Sequence, residues 1–104
     1  MTREQFKLEM DNSLAGIKSL FENKNTSYGL DDDVFENFKS TARRLFGDES
    51  KDSQARVLMG YVDKHVIALA KERFSGKESR ERMKDIIVYM LLMMAMGVGY
   101  VDGD

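Results

Sequence analysis

Apolar residues recur at spacings of three and four along most of this chain, the repeat of one face of an α-helix. Phe6, Met10, Leu14, Ile17 and Phe21 form the first such stripe. The spacing predicts a helix over about 3–24, capped by Thr2, with Glu4 and Gln5 in its first turn. Residues 25–29 read as a turn by composition. Asp31, Asp32 and Asp33 read as a cap with first-turn acids. Three consecutive acids lack the alternating ligand spacing of a calcium loop. Phe35, Phe38, Ala42 and Leu45 make the second stripe, with Gly47 as the residue after the helix end. Ser50, Asp52 and Ser53 offer caps for a third helix, striped by Ala55, Leu58, Val62, Val66 and Leu69 and ending near Arg73. A short connection, 75–77, leads to a fourth helix over about 78–99, followed by a frayed tail.

The fourth helix organises the expectation for the rest. It opens with charges and becomes almost wholly apolar from Ile86 to Val101. A helix that is apolar all round is buried on every side, so the other helices, or a second copy of the chain, are expected to wrap it. Short connections predict consecutive helices packed antiparallel. The expected fold is therefore all-α: an antiparallel four-helix bundle, one domain over 1–104. Gly97 and Gly99 allow a second backbone to approach closely, and the apolar far end predicts a homo-oligomer, most simply a two-fold dimer.

Composition sharpens this picture at a few points. With no proline among 104 residues, the strongest helix breaker is missing. The absence of cysteine removes disulfides and thiolate metal sites, as expected in a reducing cytoplasm. The formal charge is -2, with both signs interspersed, which argues against direct nucleic-acid binding. The N-terminus has no apolar signal region, and the run 86–101 falls short of the ~20 residues of a membrane span. The expected setting is cytoplasmic and away from the membrane.

Three stretches carry candidate chemistry. Glu78, Glu81, Asp85 and Tyr89 fall on one face of the fourth helix. Oxygen ligands in line suit magnesium, whereas the bland alternative is first-turn acids neutralised by Arg80, Arg82 and Lys84. Asp85 borders the apolar run and needs compensation there. On the third helix, Asp63 can complete a cation site with Glu81 and Asp85, or Lys64 can pair with Asp85 and leave no metal. His65 is the only histidine, so one subunit cannot build a multi-histidine metal site; the bland reading is a packing residue. Lys24, Asn25 and Tyr28, beside Gly29, suit a phosphate and a stacked base, or simply a helix C-terminus.

Taken in order, Phe21-x-x-Lys24-Asn25-x-x-Tyr28-Gly29, Glu36-Asn37-Phe38, Leu58-Met59 leading to Lys64, and Asp85-x-x-x-Tyr89 resemble small phage and prophage proteins. Those belong to the nucleotide modification associated and MazG-like all-α families, and the resemblance spans about 21–96. It implies a nucleoside triphosphate pyrophosphohydrolase fold, dimers, and magnesium held by a Glu-x-x-Glu motif and a Glu-x-x-Asp motif. Asp85 matches the final acid of the second motif, but Arg82 stands three residues before it and the first motif is absent. The expected function is therefore recognition of a nucleotide or nucleotide-like ligand, with Lys24, Asn25, Tyr28, Lys64, His65, Asp85 and Tyr89 at the site, in the host cytoplasm if the chain is phage-encoded. One rival is a divergent magnesium-dependent pyrophosphohydrolase using Asp63, Glu81 and Asp85. Another is a non-enzymatic protein whose methionine-rich helix binds a host protein.

Overall fold

The computed structural model describes residues 1–27 and 33–98, with side chains described for 1–22 and 33–98. It has four helices and, among the described residues, no strand: α1 (Arg3–Ser27), α2 (Glu36–Phe46), α3 (Lys51–Glu72) and α4 (Ser79–Ala95). The chain divides into two compact units, one up to Asp32 that holds α1 and one from Asp33 that holds α2, α3 and α4. No helix among the described residues is long and apolar enough to cross a membrane.

The first unit is α1 alone. It opens with a capping box: the Gln5 N–H donates to Thr2 Oγ1 at 3.1 Å and the Thr2 N–H to Gln5 Oε1 at 2.7 Å. Two N-terminal donors are thus satisfied reciprocally. The helix runs to Ser27, beyond the end expected near residue 24. Asn, Thr and Ser each give up less than ~0.7 kcal/mol of helix propensity relative to Ala, so they do not stop a helix as proline would. Tyr28, Asp31 and Asp32 lie outside the described residues.

In the second unit α3 is shared: it packs against both α2 and α4. Asp33 guides the entry to α2, accepting from the Phe35 N–H at 2.9 Å and from the Lys39 ammonium. Lys39, then the Phe35 N–H, holds its carboxyl below the usual range. Gly47 ends α2 in the left-handed region at φ 83°, the conformation in which glycine carries no Cβ penalty. Ser50 caps α3, accepting from the Ser53 N–H at 3.1 Å. Leu58, Val62 and Met93 form the core, with Phe38, Ile86, Tyr89 and Leu92 packed around them. Lys51 Nζ reaches the Gly97 carbonyl at 3.3 Å, while Glu72 meets Ser79 and Arg82 at the other end. These contacts set α3 and α4 antiparallel.

Within the second unit the fourth helix is not enclosed on every side. Only Ser79 and Met93 of α4 are buried, and Met83, Ile87, Met90, Leu91 and Met94 are exposed. Within the second unit its one helical neighbour is α3, and a single neighbour covers a single face. The helix also stops at Ala95 rather than near 99. There the Val98 N–H donates to the Met93 carbonyl and the Gly97 N–H to the Met94 carbonyl, both at 3.0 Å. This is the Schellman pattern, with Gly97 left-handed at φ 92°.

α3 ends in the same pattern without a glycine. The Phe74 N–H donates to the Leu69 carbonyl at 3.1 Å and the Arg73 N–H to the Ala70 carbonyl at 3.2 Å. Arg73 and Phe74 therefore sit at φ 54° and 60°, a region that crowds Cβ against the next carbonyl. Glu72 fixes the corner that follows. Its carboxylate accepts from the Ser79 hydroxyl at 3.4 Å and lies 3.4 Å from Arg82 Nε. A Cβ on Gly76 would come within 2.5 Å of it, so a larger residue there would displace the Glu72 carboxylate from this corner.

Two measurements check these caps. Arg73→Gly should raise the unfolding free energy by about 0.5–1 kcal/mol, the strain relieved less the extra chain entropy of glycine, whereas Arg73→Ala should not. Urea midpoints read both; a neutral or destabilising Arg73→Gly refutes the strain. Asp48 precedes α3, and the Ser50 side chain, then the Ser50 N–H at 2.9 Å, hold its carboxyl at about 2, below the ordinary 3.8. A depressed carboxyl adds stability above its unfolded value and loses it as pH falls from 3.8 towards about 2. Between pH ~5 and pH ~2, a range that brackets the ordinary carboxylate titration, the urea midpoint should fall further for the wild type than for Asp48→Asn. Equal falls would show that Asp48 is not linked to folding.

Candidate functional site

The antiparallel α3–α4 pair sets two helical i,i+4 pairs against each other: Tyr61 and His65 on α3, Asp85 and Tyr89 on α4. Side chains four apart stack on one helix face, and reversing the chain direction interleaves the two sets. The Tyr61 and Tyr89 rings stack with centroids 5.7 Å apart and planes 21° apart. Tyr89 also stacks on His65, at 5.9 Å and 30°. Phe38 of α2 closes the row edge-on against Tyr61 at 6.1 Å. Such pairs contribute about 0.5–1.5 kcal/mol beyond the area they bury.

At the polar end of this row His65 Nε2 lies 3.7 Å from Asp85 Oδ2, and both side chains are only 17% exposed. That distance suits an ion pair when the ring is protonated, and it is beyond a direct hydrogen bond. The other ring nitrogen, Nδ1, is buried and has no hydrogen-bond partner among the described residues. An unsatisfied buried polar atom costs about 1–3 kcal/mol, so this nitrogen gains from any polar group brought to it. Tyr61, at 38% exposure, is where the row reaches solvent.

The structure sorts the residues singled out in the sequence. It brings His65, Asp85 and Tyr89 together. Lys64 is exposed, and no ion pair joins it to Asp85 among the described residues. The expected Lys64–Asp85 contact is replaced by His65–Asp85, because one residue is a 100° turn of the helix and only His65 falls on the side towards α4. Asp63 and Glu81 are both exposed. Glu81 pairs with Lys84 at 3.2 Å and Glu78 with Arg82 at 3.7 Å, so the acids in line on α4 are neutralised by basic neighbours on the same helix. Among the described residues no three of His, Asp or Glu converge as they would to hold a metal ion. Lys24 and Asn25 fall within α1, but their side chains, like Tyr28, lie outside the described residues.

Sequence reasoning passed over Tyr61. The signal was present: an aromatic residue four before the only histidine, mirrored by a tyrosine four after Asp85.

No family model, no curated protein and no solved structure matches this chain.

The stacking predicts a coupling. A double-mutant cycle with Tyr61→Leu and Tyr89→Leu, read by urea unfolding, should give an interaction energy of about 0.5–1.5 kcal/mol. Simple additivity of the two losses would show that the rings do not act together.

Proposed function

We propose that this chain is a small, self-associating helical protein that recognises a nucleotide or nucleotide-like ligand at the Tyr61–Tyr89–His65–Asp85 row. The observation that carries this reading is the buried Nδ1 of His65, without a hydrogen-bond partner among the described residues, at the end of a stack of rings that reaches the surface at Tyr61. A planar, polar ligand answers both features. Its ring system stacks on an aromatic face, a contact worth about 1–3 kcal/mol per base, and its polar edge supplies a partner for the imidazole. Asp85 orients that imidazole and complements its charge when protonated. The ordered resemblance to MazG-like and nucleotide modification associated families supports the same class of ligand. Magnesium-dependent turnover is the alternative to binding alone.

A nucleotide panel, run with and without magnesium and read for melting temperature and for released phosphate or pyrophosphate, tests the proposal. At a ligand concentration a hundred times Kd, stabilisation of about 2.7 kcal/mol is expected, roughly 10–20 °C for a chain of this size. Tyr61→Ala and His65→Ala should abolish the shift. Stabilisation without product marks a binding protein, and magnesium-dependent product marks the hydrolase. No shift with any nucleotide at millimolar concentration overturns the reading.

A further inference from the structure

His65 has two ring nitrogens, and Asp85 faces one of them. Nε2 lies 3.7 Å from Asp85 Oδ2, with both side chains 17% exposed. An ionised carboxylate only accepts hydrogen bonds, and a neutral imidazole carries one N–H and one lone pair. At 3.7 Å the attraction is that of a charge for an N–H dipole rather than a hydrogen bond, and in a mostly shielded pair salt screens it little. The proton is therefore favoured on Nε2. The other nitrogen gives the same answer independently. Nδ1 is buried and has no hydrogen-bond partner among the described residues. An N–H placed there would be a buried donor without an acceptor, which is rare in folded proteins, whereas an under-satisfied acceptor is tolerated more often. Tyr89, one turn after Asp85 on α4, stacks on the imidazole with planes 30° apart. It holds the plane in which both nitrogens point.

We infer that Asp85 fixes His65 as the Nε2–H tautomer, leaving a lone pair on Nδ1, and that the site thereby selects a ring edge with an N–H donor: an amino-substituted base. The inference rests on the ligand reading above and names its specificity. An exocyclic amine in the plane of the imidazole gives the buried Nδ1 a partner. A ring edge with acceptors alone sets lone pair against lone pair and leaves both desolvated without a hydrogen bond. Sites that hydrogen-bond a particular group discriminate strongly against analogues lacking it, since their buried polar atoms are then unpaired. Stacking on Tyr61 and Tyr89 suits any planar ring, so the tyrosines supply affinity and His65 supplies the choice. Asp85 is a positioning residue here: it acts on the ligand through the imidazole.

His65 is the only histidine, so the imidazole nitrogen NMR spectrum of the full chain reports this ring alone. At about pH 8.5, where an imidazole is ordinarily neutral, the ligand-free protein should show a protonated, pyrrole-type Nε2 and a bare, pyridine-type Nδ1. Asp85→Asn offers an amide that can donate or accept. Checked for unchanged helical circular dichroism, it should move both resonances towards the averaged values of mixed tautomers. A proton on Nδ1 in the wild type, or an unchanged spectrum in Asp85→Asn, overturns the inference. Selection is read by titrating adenosine and cytidine monophosphates against purine riboside and 2-pyrimidinone riboside monophosphates, which keep ring and phosphate and lose the amine. Because the desamino forms are smaller, a steric clash cannot imitate the effect. The amino form of at least one pair should bind at least ~10-fold more tightly, and Asp85→Asn should narrow that ratio. Equal affinities within both pairs overturn the selection and leave nucleotide recognition standing. No binding by either amino nucleotide overturns the selection too, and the wider nucleotide panel above then decides the ligand reading by itself.

Discussion

Burial of one side of α3 is the constraint on which the second unit depends. Leu58 is fully buried and Val62 and Leu69 nearly so, and each is worth about 1.5–3 kcal/mol when removed from water. That side must serve two neighbours at once, so α2 and α4 both take their positions from α3. The core that results is thin. Among the described residues its buried cluster is Leu58, Val62 and Met93, and small units gain little stability beyond their entropy cost. Polar fixtures at the ends carry more weight in such a fold, which is why the corner at Glu72 and the caps at Ser50 and Gly97 matter out of proportion to their size.

The same pairing of α3 with α4 creates the candidate site as a by-product of core packing. Leu58 and Val62 opposite Met93 fix the register. About two helical turns from Leu58 and Met93, that register places His65 opposite Asp85, and the two tyrosines follow because each is four residues from a member of that pair. The polar groups sit at the border of the core rather than inside it. There an imidazole and a carboxylate are mostly shielded from water, and a tyrosine ring still meets solvent. Such a border position reconciles a cost of burial with access for a ligand.

The exposed side of α4 within the second unit follows from the same economy of neighbours. A helix as apolar as α4 buries all its surface only when ringed by others, and within that unit only α3 packs against it. The methionines that dominate its exposed side are flexible and polarizable, and they pack against irregular surfaces without demanding one geometry. The ring row lies on one side of the α3–α4 hairpin and the exposed methionines of α4 on the other.

What the sequence determined by itself was local. The three-and-four spacing of apolar residues marked all four helices. Thr2, Ser50 and Gly47 marked helix ends, because capping is a property of a few adjacent residues and needs no distant partner. Asp85 and Tyr89 stood out because a carboxylate beside an apolar run is anomalous wherever the run packs. The end of α4 was misjudged at 99, since a left-handed Gly97 and a Gly99 look alike in sequence. The tertiary structure decided what depends on register. It set His65 rather than Lys64 against Asp85, a difference of one residue and 100°, and it drew Tyr61 into the ring row. Within the second unit it also left one side of the fourth helix without a packed helix. An all-apolar helix states how much surface wants cover, and only the count of neighbouring helices states how much receives it.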